Sequence, residues 1–322
     1  MGRFFVLFFC LIFSFPALAA DGLLKDQRLI SGGIERSYDL FIPPAFQNKK
    51  KPLVIILQGH GARASMITGS MGKRNPYNVW LDIAQREGLA VVIPNGVKGS
   101  DGFRGWNDCR EDARTNPDTD DVRFLRDLTA FLVHNYAVDP SRVYVTGTSN
   151  GGHLTIRMAL EGQDLIAAAA PVVAAMPAKS QCRAGPGKVP ILFINGTEDP
   201  IMPYAGGLVG KKKNARQSDR GSVFSVNDSV LWWIKHNGAE SYKPEIFSFP
   251  DHDPDDDSTA VKYMYHGPVP VALIKVTGGG HTEPSLSHHY RSFYTMFVGP
   301  QNKDFEMAEE VWAFFKDKRK NP

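Results

Sequence analysis

The pentapeptide Gly147-Thr148-Ser149-Asn150-Gly151 sets one serine between two glycines, the G-x-S-x-G spacing of a sharp turn that holds a nucleophile exposed. Five residues alone are a weak signal, but here they follow the apolar run Val143-Tyr144-Val145-Thr146 and precede the helical stretch Gly152-His153-Leu154-Thr155-Ile156. The helix N-terminus behind such a turn adds partial positive charge where an oxyanion would develop. A serine hydroxyl needs a base, and the base needs an acid that orients it. Downstream, Ile191-Leu192-Phe193-Ile194 runs into Asn195-Gly196-Thr197-Glu198-Asp199, which offers two carboxylates at a strand end. The run Val271 to Val276 leads into Thr277-Gly278-Gly279-Gly280-His281, where three glycines let the chain turn freely. Of nine histidines, only His281 follows a late strand in this way. His288 and His289 form a weaker pair for the base, and His153 on the helix behind the turn reads as structural. Two backbone donors complete such a site. Asn150 supplies one, and Gln58-Gly59-His60-Gly61 the other, from the His60 N–H with Gly61 as second choice. No second histidine at ligand spacing accompanies His60, so neither a metal nor an organic cofactor is expected.

Loops can converge in this way only if strands deliver them to one edge. Arg36 to Ile42 alternates apolar and polar residues, which predicts a half-exposed strand. Leu53 to Leu57 is continuously apolar, which predicts a strand buried on both faces. Further strands are predicted at Ala90 to Ile93, Val143 to Thr146, Ala167 to Val173, Ile191 to Ile194, Val261 to Tyr265 and Val271 to Val276. Helical spacing marks Asn78 to Glu87, Asp121 to Tyr136, Gly152 to Leu160, Asp228 to His236 and Phe305 to Phe315. The alternation predicts an α/β fold, a mostly parallel central sheet with helices on both faces. Gly207 to Gly221, with Lys211-Lys212-Lys213, and Pro250 to Ser258, with five aspartates, read as surface loops. The second lacks the spacing and glycine of a calcium loop.

The chain has 322 residues, 43% of them hydrophobic, with 37 basic against 34 acidic side chains and a net charge of +3. These values exclude disordered and collagen-like classes and give no electrostatic case for nucleic acid. Residues 1–19 combine Arg3, an apolar run from Phe4 and the small-x-small ending Ala17-Leu18-Ala19, which predicts a cleaved signal peptide. Residues 20–322 are then one catalytic domain, exported to the periplasm or secreted, with no stable membrane insertion. Cys10 departs with the leader. Cys109 and Cys182 remain in an oxidising compartment, where a disulfide is expected and two unpaired thiols are the alternative.

These residues resemble the secreted polyhydroxybutyrate depolymerase-like esterases, α/β-hydrolases related to the feruloyl and acetyl-xylan esterases of carbohydrate esterase family one. The likeness runs in order through Gln58-Gly59-His60-Gly61, Pro94-Asn95-Gly96, Trp106-Asn107-Asp108-Cys109, Asp120-Asp121-Val122, Asp139 to Gly152, Gly196 to Tyr204, and Gly278-Gly279-Gly280-His281-Thr282-Glu283-Pro284. It implies Ser149 as nucleophile, Asp199 rather than Glu198 as orienting acid, and His281 as general base. It also supports the Cys109–Cys182 bridge, pinning the tryptophan loop near the site, and implies substrate-facing roles for Trp106, Asn107 and Glu283. The chain departs from the family at Gln58 and Asn195, where histidine is frequent, and at Glu283, where tryptophan is common. A carboxylate in place of an aromatic at the rim weakens the case for a purely apolar polyester, as does the lack of a separate polymer-binding module.

The expected activity is hydrolysis of carboxylic esters through an acyl-enzyme, on hydroxybutyrate oligomers or polyester. Feruloyl or acetyl-xylan esters are the alternative. A serine peptidase of the same fold, or a binding protein without catalysis, are more distant readings. The expected partner is a small-molecule or oligomeric ester, with the oligomeric state left open.

Overall fold

The computed structural model describes residues 21–69, 74–210 and 219–320. The expected signal peptide and Lys211 to Lys213 lie outside the described residues. Strands β1 (Leu23–Ser31), β2 (Ile34–Phe41), β3 (Lys51–Leu57), β4 (Ala90–Pro94), β7 (Val138–Thr148), β8 (Ala168–Val172), β9 (Ile191–Gly196), β12 (Glu245–Ser248), β13 (Thr259–Tyr265) and β14 (Val271–Thr277) form one ten-stranded sheet. Their order is β1-β2-β4-β3-β7-β8-β9-β14-β13-β12. Strands β4 to β14 along this order pair in parallel, and antiparallel strands close both edges. Two small hairpins, β5 (Val97–Lys98) with β6 (Arg104–Gly105) and β10 (Gly207–Leu208) with β11 (Ser222–Val223), stand apart from it.

The pleat divides the core. Leu53, Ile55 and Leu57 of β3 enter one apolar cluster and Val54 and Ile56 the other, as a period of two requires. On the first face lie α3 (Asp121–Tyr136), α4 (Asn150–Glu161) and α5 (Val226–Asn237), with Phe124, Leu128, Leu154 and Trp233 packed inward. On the second lie α2 (Val79–Glu87) and α7 (Met307–Phe315), with Trp80, Val311 and Phe315 inward. Helix starts follow local chemistry: the Asp120 side chain accepts the Arg123 N–H at α3, and the Ser225 hydroxyl accepts the Asp228 N–H at α5. A short α1 (Ser65–Thr68) and α6 (Ser292–Val298) complete the set.

The structure differs from the sequence expectation at the first edge. β2 is largely buried rather than half-exposed, because β1 covers it and Arg36 points into the core. β1 itself escapes a periodicity reading: a register shift between Leu24 and Gln27 interrupts its pattern, and Asp26 there has φ 50°. The exposed edge strand β12 and helix α6 were likewise not legible as elements.

Cys109 and Cys182 are joined in a disulfide, with Cα atoms 5.1 Å apart and a sequence separation of 73. The bridge holds the loop after Trp106 against the segment before β9, where an isolated pairing of Arg110 with Ser180 adds to it. Replacing both cysteines by serine is expected to lower unfolding free energy by about 4 kcal/mol on the chain-entropy account, measured by urea denaturation.

Candidate active site

The loops that carry the expected residues all leave the same edge of the parallel sheet. Ser149 follows β7, Asp199 follows β9, His281 follows β14, and Gln58-Gly59-His60 follow β3. In open α/β sheets this carboxyl edge is where ligands bind.

Ser149 is held at φ 55°, ψ −118°, a region that non-glycine residues adopt only when their surroundings impose it. The surroundings do so by contact. A Cβ on Gly151 would lie 2.1 Å from the Leu57 carbonyl oxygen, and one on Gly147 would lie 2.6 Å from it. Only glycines allow the turn to press under the end of β3. The Ser149 N–H donates to the Val172 carbonyl of β8 at 3.0 Å, which fixes the turn laterally. Asn150 opens α4, so its N–H has no carbonyl within the helix to receive it.

His281 Nδ1 lies 2.7 Å from Asp199 Oδ2. The other carboxylate oxygen, Oδ1, accepts the N–H groups of Ile201 and Met202 at 2.8 and 2.7 Å. Asp199 is buried, whereas Glu198 is exposed and is held through its backbone N–H to Gly279. The geometry thus separates two adjacent carboxylates that sequence position alone leaves equivalent. The histidine is itself fixed by its main chain: His281 N–H donates to Val298 O at 2.5 Å, and Gly280 N–H to Pro300 O at 2.8 Å. His288 and His289 belong to the following loop, where His288 Nδ1 contacts the Ser287 hydroxyl.

On the β3 side, the Gly61 N–H is taken by the Arg104 carbonyl at 2.7 Å. That excludes Gly61 as an oxyanion donor and leaves the His60 N–H as the expected second donor. The His60 ring is 2.9 Å from Asp101 Oδ2 and packs beside Phe103, with centroids 5.7 Å apart. Burial, reinforced by Arg220, pulls its pKa below the ordinary value despite Asp101.

Behind the nucleophile lies a polar layer that the sequence did not reveal. The Asn150 side chain accepts the Trp106 N–H at 2.7 Å and donates to Asp108 Oδ2 at 2.8 Å. Asp108 is fully buried and receives the Arg110 guanidinium at 2.6 Å. Burial pushes the Asp108 carboxyl up, but the Arg110 charge and hydrogen bonds hold it below the usual range. A second buried pair, Arg36–Asp121 at 2.7 Å, receives the Asn107 N–H on Asp121 Oδ2 at 2.7 Å. Arg36 also stacks on Phe124, 3.8 Å from the ring centroid. Asp108 and Asp121 stand within segments that the sequence reading quoted, but Arg36 is 85 residues from its partner and no local signal links them.

Three expected substrate contacts are placed elsewhere. Trp106 is 1% exposed and donates its indole N–H to the Gln58 carbonyl at 2.8 Å, so it supports the β3 loop from within. Asn107 is tied to Thr119 and Gln181 and lines a groove of about 450 Å³ with Asp118, Arg157 and Glu161, a lining that does not include Ser149. Glu283 is not at the rim. It is 5% exposed and accepts the Tyr290 hydroxyl at 2.5 Å. Burial, then the Glu283 charge, raise the Tyr290 phenol well above its ordinary pKa, so the phenol remains the donor. Asn195 donates to Ala174 O at 3.1 Å, a structural link at the end of β9. Among the described residues no group of His, Cys, Asp or Glu side chains has a metal-binding arrangement.

A sheet of this order, with a serine in a strained strand–helix turn and a carboxylate-bound histidine on a loop at the same sheet edge, is the arrangement of the α/β-hydrolase fold. Residues 36–182 match the family model described as Esterase PHB depolymerase. The chain is 27% identical over 308 residues to a protein of Nocardia uniformis subsp. tsuyamanensis named as the esterase NocK, covering 92% of this chain and 83% of that one. It is 30% identical over 206 residues to feruloyl esterase B of Piromyces equi (62% and 35% covered) and 27% over 283 to the poly(3-hydroxybutyrate) depolymerase of Ralstonia pickettii (83% and 52%). The chain therefore spans about a third and about half of the length of these last two relatives. In fold it is similar to the acetyl xylan esterase from Aspergillus awamori, with a TM-score of 0.52, 16% identity, and 81% and 94% of the two chains covered.

Two stability predictions follow from the buried polar layer. Asp108→Ala strands the Arg110 charge and is expected to cost about 3–5 kcal/mol in urea denaturation. His153 on α4 is wholly buried, and burial, with Arg110 adding to it, lowers its pKa from 6.5 to about 3. The unfolded chain therefore binds a proton below pH 6.5 that the folded chain refuses until about pH 3. This contribution to stability is complete above pH 6.5 and declines as pH falls toward 3. In that window wild type should lose about 1.4 kcal/mol per pH unit more than His153→Gln, read from denaturation midpoints at pH 7 to 4.

Proposed function

We propose that the chain is a serine carboxylic-ester hydrolase whose catalytic residues are Ser149, His281 and Asp199. The reading rests on one observation: the strained serine turn shares a sheet edge with a histidine whose Nδ1 is 2.7 Å from a buried carboxylate. Asp199, immobilised by two backbone N–H groups, holds the His281 Nδ1–H and leaves Nε2 to take the Ser149 proton. The serine oxygen attacks the ester carbonyl, and the Asn150 and His60 N–H groups stabilise the resulting oxyanion. His281 then gives its proton to the departing alcohol, leaving an acyl-serine. Water, deprotonated by the same histidine, attacks this ester, and return of the proton to Ser149 releases the acid.

The substrate class proposed is esters of hydroxyalkanoic acids, as oligomers or polyester, supported by the family match over residues 36–182. The 30% identity to a feruloyl esterase supports feruloyl or acetyl-xylan esters as a second reading. The disulfide supports export, because such bonds persist in oxidising compartments. No helix among the described residues is long and apolar enough to cross a membrane.

Hydrolysis of p-nitrophenyl butyrate is expected to fall roughly 10⁶-fold in Ser149→Ala and roughly 10⁴-fold in Asp199→Asn, with unchanged circular dichroism. Full activity in Ser149→Ala would refute the assignment. Product analysis on hydroxybutyrate trimers, feruloylated arabinose and acetylated xylan separates the two substrate readings.

A further inference from the structure

The two N–H groups assigned above to the oxyanion belong to loops of different strands. His60 follows β3 and Asn150 follows β7, and the pairing of these strands ends at Leu57 opposite Gly147. The ladder therefore stops short of both donors, although their spacing is critical: each must lie about 2.7–3.1 Å from the charged oxygen. The segment Arg104-Gly105-Trp106 reaches both loops. Toward Asn150, the Trp106 N–H donates to the side-chain Oδ1 at 2.7 Å and the Trp106 carbonyl accepts from Nδ2 at 3.1 Å. Toward His60, the Trp106 indole N–H donates to the Gln58 carbonyl at 2.8 Å, and the Arg104 carbonyl accepts the Gly61 N–H at 2.7 Å. These last two bonds fall on either side of His60. Gly105 lies between the donor residues, since a Cβ there would stand 3.1 Å from Asn150 Oδ1 and 3.5 Å from His60 Nδ1. Trp106 is buried, and the chain just beyond it is held by the Asn107 N–H on Asp121 and by the Cys109–Cys182 bridge.

We infer that Arg104-Gly105-Trp106 is a strut that sets the distance between the two oxyanion donors, and that Trp106 is a positioning residue of the reaction. Its main chain fixes the side chain of Asn150, and its indole fixes the loop that carries His60. The inference rests on the esterase reading and extends it to a buried residue outside the triad. A tryptophan suits the position because one side chain supplies both a ring for the core and a donor for the Gln58 carbonyl. Phenylalanine would fill much of the same space and leave that carbonyl without its donor. A strut acts mainly on the transition state, because the full oxyanion charge exists only there, so its loss lowers kcat more than it raises KM.

Trp106→Phe is expected to lower kcat on p-nitrophenyl butyrate by about 10- to 100-fold, with KM within about twofold of wild type. Its Ki for a trifluoromethyl ketone, which forms a tetrahedral oxyanion on the serine, is expected to rise by the same factor as kcat/KM falls. Gly105→Ala is a gentler variant whose added methyl presses on Asn150 Oδ1. It is expected to show the same split between kcat and KM with an unchanged urea midpoint, and it carries the test if Trp106→Phe does not fold. Folded variants that keep the wild-type kcat, or lose affinity in KM alone, would overturn the strut and leave the esterase reading standing. A fall in kcat with unchanged ketone affinity would also overturn it, because the oxyanion site would then be intact. Wild-type protein that neither cleaves the ester nor binds the ketone would overturn the esterase reading itself, and the strut with it.

Discussion

The site depends on a steric fact: backbone must approach backbone where β7 turns into α4 beneath the end of β3. With the Leu57 carbonyl 2.1 Å from where a Gly151 Cβ would sit, the strand and the helix can be neighbours only through a glycine. This contact determines the conformation of Ser149, because the turn has no room to relax toward ordinary φ values. It also sets the start of α4, whose first residues are buried and whose N-terminal N–H groups face the reacting edge. The strain is confined to one residue and is opposed by a helix buried along most of its length and by the Val172 hydrogen bond.

Loops carry the remaining groups, and loops have no ladder of hydrogen bonds to hold them. Around Trp106 the chain replaces that ladder with buried charge. Asp108–Arg110 and Arg36–Asp121 are both almost wholly removed from water. Ion pairs in such places contribute little net stability compared with well-packed apolar residues, but leaving one partner alone is costly. Their consequence here is positional. Each carboxylate accepts a main-chain N–H of the loop, from Arg110 and from Asn107, and the Asn150 amide joins the same network to the nucleophile turn. The disulfide closes the arrangement from the far side.

Much of this was legible because the strongest signals are local. Continuous apolar runs gave β3 and β4, and helical spacing gave α3 with the same bounds, Asp121 to Tyr136, since an apolar stripe and an Asp120 cap agree there. The serine turn and the glycines before His281 were readable because steric demands leave few residue choices. What remained hidden was non-local. No pattern announces that Arg36 will neutralise Asp121, that Gly61 will spend its N–H on Arg104, or that Trp106 will face inward. Edge elements escaped for a different reason. β12 is exposed along its length, and α6 presents its apolar side outward, so neither has the inward-facing periodicity by which elements are recognised.

Glu283 shows how one such residue changes the surface around it. A carboxylate two positions beyond His281 would, if exposed, make the rim polar. Instead Tyr290 donates its hydroxyl to it, and Gln301 bonds the Glu283 and His288 carbonyls while accepting the Tyr290 N–H. These bonds draw residues 283–301 into a closed loop whose ends converge on His281. Glu283 and Gln301 are drawn inside the loop, whereas Leu286, Ser287, His289, Arg291 and most of α6 remain exposed. Tyr294 packs against Tyr290 with the rings tilted by 52° and their centroids 4.9 Å apart, carrying the order of the buried clasp out to the helix. A substitution that seems to remove apolar character from the rim thus moves it some ten residues along the chain, onto a helix whose orientation the carboxylate itself secures.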